Sequence, residues 1–292
     1  VSENNWLGRG VKLSSNVDVS AETLRGGISV TNPNFNYSGN EVFGSFDLSS
    51  SDMTATSGYK SSKTGFAFGT QFEQYQDVYF SPSLFAAHES IEVQSSASSA
   101  IKKMDGTYNN IDFGYGITWD KRNQPFQPTA GYRSKFSQQI PILQDSSALV
   151  NGIDFSSYYA FSEDVITAAK FYARSIHGID GDVRLTRRLF LPQKKLRGFN
   201  TRRTGPKDGD DYVGGNYTTA IGIEAQLPNL LPESTKTDFS VFFDAGNVWS
   251  VDYSDAIDDT NKIRSAAGIA ANVYTVIGPL SFTLAQNLSK YS

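Results

Sequence analysis

The chain of 292 residues is long enough to bury a sizeable core, carries a net charge of −4 at pH 7 and contains no cysteine. The absence of cysteine excludes disulfides, thiolate metal sites and a cysteine nucleophile, and the acidic balance argues against wholesale nucleic-acid binding. No apolar run is long enough for a transmembrane helix, which needs about 18 residues or more.

Segments in which apolar and polar residues alternate follow one another along the whole chain, and this is the pattern of half-buried β-strands. Thirteen such strands are predicted, at 10–20, 23–32, 41–50, 61–73, 77–88, 109–120, 131–142, 152–162, 165–176, 215–227, 238–249, 263–275 and 280–288. In the strand at 109–120, for example, Phe113 and Ile117 fall on one face and Asp112 on the other.

The composition of the two faces favours a transmembrane antiparallel β-barrel. The polar face is rich in Gly, Ser, Thr and Asn, and the apolar face carries many aromatic residues, which suits a polar lumen and a lipid-facing exterior. A soluble β-sandwich also alternates and is the alternative fold. We find no linker or internal repeat, so residues 1–292 are expected to form one domain.

The spacing between predicted strands supports the barrel, because short turns at one rim and longer loops at the other are typical of outer-membrane barrels. Compact connections lie at 33–40, 74–76, 121–130, 163–164, 228–237 and 276–279. Mostly longer ones lie at 51–60, 89–108, 143–151, 177–214 and 250–262, with a short helix expected at 94–104. The connection at 21–22, on the side of the long loops, is the exception to this pattern.

The longest predicted loop, 177–214, is strongly basic. From 183 to 207 it contains nine Lys or Arg and no Asp or Glu. Such a run is often only solvated. Within it, however, Gly permits close backbone approach, Phe can be buried and Arg offers a planar fork of donors that suits a carboxylate. The candidate loop residues are Leu196, Arg197, Gly198, Phe199, Gly205 and Pro206.

Two carboxylates on consecutive predicted strands are candidate partners of Arg197. The alternation places Glu224 and Asp244 on the polar, lumen-like face, close in sequence to the end of the basic loop. We therefore expect the loop to fold inward and meet them. The alternative is that water in the lumen solvates each carboxylate separately.

Catalytic chemistry has little support. The chain has two histidines, His88 and His177, and neither has neighbours that specify a triad or a metal site. There is no phosphate-binding loop and no dinucleotide fingerprint. We predict no enzyme activity, no catalytic residue, no metal and no cofactor.

Several motifs, in order along the chain, resemble the membrane barrel of the BamA family of bacterial outer-membrane protein assembly factors. They are Asn-Asn-Trp-Leu-Gly-Arg-Gly at 4–10, Val-Thr-Asn-Pro-Asn-Phe at 30–35, Leu-Arg-Gly-Phe at 196–199 with Gly-Pro-Lys at 205–207, Phe-Asp-Ala-Gly-Asn-Val-Trp at 243–249 and Ile-Gly-Pro-Leu at 277–280. Glu224 and Asp244 stand at that family's partner positions for the loop arginine.

The resemblance implies a barrel of roughly sixteen strands. With thirteen predicted strands and no aromatic-terminated closing strand, the chain is interpreted as a fragment that lacks the two seam strands. The family's soluble POTRA domains are not recognised in it either.

The implied function is to fold and insert β-barrel proteins into the bacterial outer membrane, through a strand seam and the inward loop. The implied partners are unfolded outer-membrane proteins, outer-membrane lipid and accessory lipoproteins that bind POTRA domains. The alternatives are a related secretion or translocation transporter and a passive porin-like channel.

Overall fold

The computed structural model describes residues 1–97, 99–200, 202–252, 262–275 and 278–289. Its main feature is a single antiparallel sheet of fourteen strands, in which every strand pairs with its neighbours along the chain. The strands are β1 (Ser2–Trp6), β2 (Val11–Val19), β3 (Thr23–Asn32), β4 (Glu41–Met53), β5 (Tyr59–Tyr75), β6 (Val78–Val93), β7 (Gly106–Asp120), β8 (Ala130–Gln144), β9 (Ala148–Ala160), β10 (Ile166–Gly178), β13 (Tyr217–Leu227), β14 (Thr237–Trp249), β15 (Arg264–Thr275) and β16 (Gly278–Asn287). Two further strands, β11 (Lys207–Asp208) and β12 (Asp211–Tyr212), form a separate hairpin.

The all-β prediction is confirmed, and each of the thirteen predicted strands is present. The fourteenth strand of the sheet, β1, was not predicted. Its five residues are all exposed and do not alternate, so they give no periodic signal. It pairs with β2 through the backbone, with Ser2 opposite Ser14 and Trp6 opposite Val11, and backbone pairing does not require an apolar face.

Some predicted loops are shorter than expected. The predicted connection 143–151 is reduced to 145–147, and 51–60 contains only the short helix α1 (Thr54–Ser57) between β4 and β5. The strand ends here are rich in Ser and Asp, which hides them from a periodicity search. Strands that extend beyond the apolar layer of a membrane need no apolar face.

The helix expected at 94–104 is present as a single turn, α2 (Ser99–Lys102). Residue 98 of that prediction, most of the predicted loop 250–262 and Ile277 of the Ile-Gly-Pro-Leu motif lie outside the described residues. None of the described helices is long and apolar enough to cross a membrane.

The sheet has one apolar and one polar face, as the alternation predicts. Ile117 and Phe282 are 43% and 61% exposed, whereas Asp112 is 8% exposed on the opposite side of the sheet. Aromatic side chains pack across strands on the exposed face, for example Phe80 and Tyr115 with ring centroids 6.1 Å apart. We call the exposed apolar side the outer face, and the side that carries Asp112 the inner face.

The sheet is strongly curved towards its inner face. Gln127, in the turn between β7 and β8, donates from Nε2 to Asp238 Oδ2 on β14 and to the Tyr274 hydroxyl on β15, both at 2.7 Å. Three strands of the sheet, β9, β10 and β13, separate β8 from β14. No backbone pairing joins β1 to β16 among the described residues, so the sheet is not closed there.

The buried apolar residues lie between the inner face and residues 179–216, the long connection from β10 to β13. One cluster contains Leu191, Leu196, Phe199, Ala220, Val248 and Ala266. A second cluster contains Met53, Tyr59, Ile91, Ala97, Ile101, Met104, Leu185 and Val213. The long loop therefore supplies much of the core that the polar inner face cannot form by itself.

Replacing Ile117 on the outer face by Arg is expected to destabilise the membrane-inserted fold by about 2–4 kcal/mol, the cost of a cation at the lipid midplane. The matched variant Ile117→Ala removes the same side chain without adding charge and is expected to cost less. Urea unfolding in lipid vesicles measures both. Equal costs would contradict a lipid-facing position for Ile117.

Candidate functional site

Residues 179–216 form a loop that is closed at its base and folded over the inner face. At the base, Leu189 N donates to Gly215 O at 2.8 Å and Gly215 N returns the bond to Leu189 O at 3.0 Å. Further along, β11 and β12 pair as a two-stranded hairpin, with Lys207 opposite Tyr212. The loop thus has its own backbone pairing and is not an extended, solvated chain.

Arg197 binds Asp244 on β14 through both ends of its guanidinium group. Nε lies 2.7 Å from Asp244 Oδ2 and Nη2 lies 2.9 Å from Oδ1. The backbone N–H of Arg197 also donates to Oδ2, at 3.1 Å. Two parallel charge-assisted bonds fix orientation as well as distance, which a lysine could not do.

Glu224 on β13 completes a network of two cations and two carboxylates. Arg197 Nη1 lies 3.6 Å from Glu224 Oε2, and Lys170 Nζ donates to the same oxygen at 2.8 Å. The Arg197 guanidinium carbon stands 3.5 Å from the centroid of the Phe242 ring. The side chains of Asp244 and Glu224 are 3% and 9% exposed, so each carboxylate depends on these partners for compensation of its charge.

The register of β13 and β14 brings the two carboxylates together. Glu224 stands opposite Phe242, and Gly222 stands opposite Asp244, so the acidic residues lie diagonally on the inner face. A side chain at Gly222 would place its Cβ 3.1 Å from Asp244 Oδ1. The glycine therefore leaves the space into which Asp244 and Arg197 fit.

Gly198 allows the loop to approach β16, the last strand of the sheet. Its φ of +88° is in the left-handed region, and a Cβ there would lie 2.8 Å from Asn287 Oδ1 and 2.9 Å from the Ala285 methyl group, both on β16. On either side of the Arg-Gly pair, Leu196 and Phe199 are buried, at 2% and 7% exposed. The Leu-Arg-Gly-Phe segment thus inserts two apolar side chains and one cation into the same region.

Gly205 and Pro206 hold the next part of the loop against β14. Gly205 has a φ of +102°, and a Cβ there would lie 2.9 Å from Val248 Cβ. Pro206 O accepts a hydrogen bond from Val213 N at 3.1 Å, at the start of the β11–β12 hairpin. All six candidate loop residues are therefore in contact with the sheet or with the loop itself.

A second anchor, which the sequence did not single out, lies near the base of the loop. Arg188 donates to Asn216 Oδ1 at 2.9 Å and pairs with Asp252, and Val183 N donates to Asp252 Oδ2 at 3.0 Å. Burial by itself would raise the pKa of Asp252, but the Val183 N–H and Arg188 outweigh it and hold the pKa below its usual value. Asp252 therefore stays ionised and binds the loop base at neutral pH.

A third anchor holds the loop to β6 and β7. Arg184 is 3% exposed, donates to Asn110 Oδ1 at 2.8 Å, lies 3.7 Å from Glu89 Oε2 and stacks on Tyr108 with its guanidinium carbon 4.3 Å from the ring centroid. Burial lowers the pKa of Arg184, and Glu89 opposes the shift. An arginine remains charged under these conditions. Alternation places Asn110 on the polar face of its predicted strand, but Glu89 falls in the predicted loop 89–108, so periodicity did not indicate this anchor.

Neither histidine is a partner of the three anchoring arginines. His88 Nδ1 is 2.8 Å from Asn109 Oδ1, and His177 packs edge-on against Tyr217. Among the described residues, no group of three or more His, Asp or Glu side chains is arranged to hold a metal ion. The three anchors together position the loop on the inner face.

Comparison with known proteins gives a match to a family model over nearly the whole chain. Residues 5–292 match the Omp85 superfamily domain. Among curated proteins, the chain is 26% identical over 203 residues to "Outer membrane protein assembly factor BamA" of Neorickettsia risticii (strain Illinois), covering 68% of this chain and 27% of that protein. The protein of the same name from Neisseria meningitidis serogroup B (strain ATCC BAA-335 / MC58) is 25% identical over 346 aligned residues, covering 99% and 42%. The chain thus spans less than half the length of either relative.

Solved structures show a similar fold. The crystal structure of BamA from Haemophilus ducreyi lacking POTRA domains 1–3 superposes with a TM-score of 0.84 at 22% identity, covering 100% of this chain and 63% of that one. CdiB from Acinetobacter baumannii superposes with a TM-score of 0.62 at 12% identity, covering 99% and 52%. The curved sheet therefore shares its fold with those two structures.

The geometry predicts that Arg197 is coupled more strongly to Asp244 than to Glu224. Arg197→Ala leaves buried carboxylates without a partner, a change that typically costs about 3–5 kcal/mol for a fully buried pair. We expect the low end, because Lys170 remains beside Glu224. In double-mutant cycles, Arg197→Ala with Asp244→Asn should give a coupling energy within about 0.5–3 kcal/mol, and the cycle with Glu224→Gln a smaller one.

Chemical unfolding of the membrane-inserted protein measures both cycles. Lys194→Ala is the matched control, because Lys194 is an exposed basic residue of the same loop. Additivity in the Asp244 cycle would contradict the pairing, and an equal coupling in the two cycles would contradict the bidentate geometry.

Proposed function

The chain belongs to the Omp85 superfamily, and we propose that it is the barrel part of a factor that folds β-barrel proteins and inserts them into the bacterial outer membrane. Family and fold locate the chain in the bacterial outer membrane. Both curated relatives carry the name of an outer-membrane protein assembly factor. Because the chain spans less than half of their length, the activity is proposed for the intact protein.

The observation that carries the proposal is the attachment of the loop to β13 and β14 by Arg197. The same segment reaches β16 through Gly198. A loop fastened in this way braces the strands next to one end of the sheet. We infer that it holds the shape and register of that end while a new strand pairs beside it.

The proposed seam lies where the first and last strands of the intact barrel meet, and β16 and β1 are the end strands of the described sheet. An unpaired strand presents a row of backbone donors and acceptors to an incoming strand. Strand addition of this kind lowers the cost of forming the first turns of a client barrel, because the template is already ordered. We propose that insertion follows from such pairing, without a covalent step and without a cofactor.

The proposed partners follow from this mechanism. The clients are unfolded outer-membrane β-barrel proteins, and the outer face contacts outer-membrane lipid. Accessory lipoproteins are proposed to bind through POTRA domains of the intact protein.

A related secretion or translocation transporter is the alternative within the superfamily. The names of both curated relatives favour assembly over that alternative. A passive porin is the alternative outside it, and the loop that covers the inner face argues against a wide, permanently open lumen.

We expect Arg197→Ala to lower the rate at which a urea-denatured client barrel folds into vesicles that contain the intact protein. Arg197→Lys should restore only part of the rate, because an ammonium group cannot bind both oxygens of Asp244 in parallel. The assay is the appearance of the heat-resistant, fast-migrating form of the client on a gel. Lys194→Ala controls for loss of positive charge from the loop.

Full activity of Arg197→Ala, with the loop shown by limited proteolysis to be released, would overturn the bracing role. Absence of client folding by the unmutated protein, under conditions in which it is itself inserted, would overturn the assembly function.

Single-channel recording separates assembly from passive diffusion. The unmutated protein should show small, irregular currents, because residues 179–216 cover the inner face, and Arg197→Ala should show larger ones as the loop detaches. A large, steady conductance of the unmutated protein would favour the porin.

A further inference from the structure

A row of polar side chains crosses the outer face, which is otherwise mostly apolar. The Tyr115 hydroxyl donates to Gln138 Oε1 at 3.0 Å, Gln138 Nε2 donates to Asn151 Oδ1 at 2.6 Å, and Asn151 Nδ2 donates to Ser175 Oγ at 3.2 Å. We call these four residues the outer polar row. Each is a direct cross-strand partner of the next, on β7, β8, β9 and β10 in turn.

The row shares its face with the lipid-facing side chains. Tyr115 packs beside the rings of Phe113 and Phe136, at centroid distances of 6.3 and 6.1 Å. Ile153, two residues from Asn151 on the same side of β9, is 42% exposed. Polar groups that face hydrocarbon are costly unless they are hydrogen-bonded. The row meets part of that requirement, because each amide accepts through its oxygen and donates one of its two N–H groups within the row.

The bonds of the row all run in one direction, and this leaves a donor at its end. Each amide accepts through its oxygen from one neighbour and donates through its nitrogen to the next. Ser175 is the last acceptor, and its own hydroxyl proton has no acceptor among the described residues. The row therefore offers one O–H donor at the β10 end, to a group that is not part of the described chain.

A groove of about 310 Å³ opens beside that donor. It is lined on the outer face by Phe136, Ile153, Ala173, Ser175, Tyr217 and Trp249. Tyr217 and Trp249 stack with ring centroids 5.7 Å apart and an interplanar angle of 16°. Stacked Tyr and Trp at the ends of barrel strands are typical of the membrane–water interface, where lipid headgroups meet the acyl chains.

We propose that this groove binds one acyl chain of an outer-membrane lipid, and that Ser175 donates a hydrogen bond to the ester or amide carbonyl at the head of that chain. The narrow space at Ala173 accepts methylene groups, and the aromatic pair lies at the headgroup end. The ligand class is a lipid with an acyl carbonyl, because the free donor calls for an uncharged acceptor next to an apolar chain.

The surroundings of the groove do not suit a phosphate. Arg174 is the charged side chain among the groove residues that the structure describes, and its guanidinium pairs with Asp154 on the inner face. The occupant is therefore recognised by its chain and carbonyl and not by headgroup charge. The site is independent of the loop anchors and of the proposed assembly activity, so either proposal can fail without the other.

The experiment uses the intact protein in nanodiscs of phosphatidylethanolamine that contain a trace of phosphatidylethanolamine with a nitroxide on one acyl chain. Electron paramagnetic resonance measures the motionally restricted lipid per protein. Ala173→Phe fills the groove and should remove one restricted lipid. Ala169→Phe places the same ring on the outer face of the same strand, outside the groove, and should leave the number unchanged.

The role of Ser175 is tested with the dialkyl ether analogue, which has the same chains and headgroup but no carbonyl. Unmutated protein should prefer the ester lipid about fivefold, equivalent to about 1 kcal/mol, the usual net contribution of one hydrogen bond. Ser175→Ala should abolish the preference. Heat-modified migration on a gel verifies that each variant remains folded.

An equal number of restricted lipids in Ala173→Phe and Ala169→Phe would overturn the groove, and equal affinity of the unmutated protein for ester and ether lipids would overturn the hydrogen bond. Dimers that disappear in Ala173→Phe would show that a second copy of the chain covers the groove, which would also overturn the proposal.

Discussion

The pairing of Arg197 with Asp244 is the interaction on which the inner side of the molecule depends. The Asp244 side chain is 3% exposed, so both charges of the pair lose most of their hydration. The pair therefore adds little net free energy to the stability of the fold. What it supplies is geometry. The guanidinium binds both oxygens of Asp244 and also lies over the Phe242 ring, and these contacts together fix the position of the loop. Glycine at 198 and 222 suits this docking, since a Cβ would lie 2.8 Å from Asn287 Oδ1 at position 198 and 3.1 Å from Asp244 Oδ1 at position 222.

The loop and the sheet stabilise each other for complementary reasons. The inner face carries carboxylates and amides that need cations and donors, and the loop carries nine basic residues between 183 and 207. The sheet alone would expose that face to water, and the loop alone would have no core. Buried side chains such as Leu191 and Val248 lie at the boundary, so apolar burial and charge pairing are satisfied by the same docking step.

Much of the fold could be predicted from the sequence, because a period of two assigns both the strands and their faces. The same period of two predicted that Glu224 and Asp244 lie on one face of the sheet. In the structure, Arg197 contacts both carboxylates. Three things could not be obtained in this way. β1 is too short and too polar to alternate, the serine-rich ends of β4 and β5 need no apolar face, and the partners of Arg184 and Arg188 are 74 and 64 residues distant in sequence. Periodicity describes each strand but says nothing of contacts across a curved sheet.

The curvature of the sheet has a consequence for the order in which the molecule assembles itself. Apart from β10 and β13, which the long loop separates, the strands pair across short connections, so most of the sheet can grow by short loop closures. The loop, by contrast, joins residues that are 47 positions apart at Asp244, 74 at Asn110 and 143 at Tyr59. Closing such long loops costs conformational entropy. The contacts that offset this cost can form only when the strands that carry Asp244, Asn110 and Tyr59 are already paired. Docking of the basic loop is therefore a late step in folding. A chain that has not reached this step would have its strands paired, but the carboxylates of its inner face would lack their arginine partners.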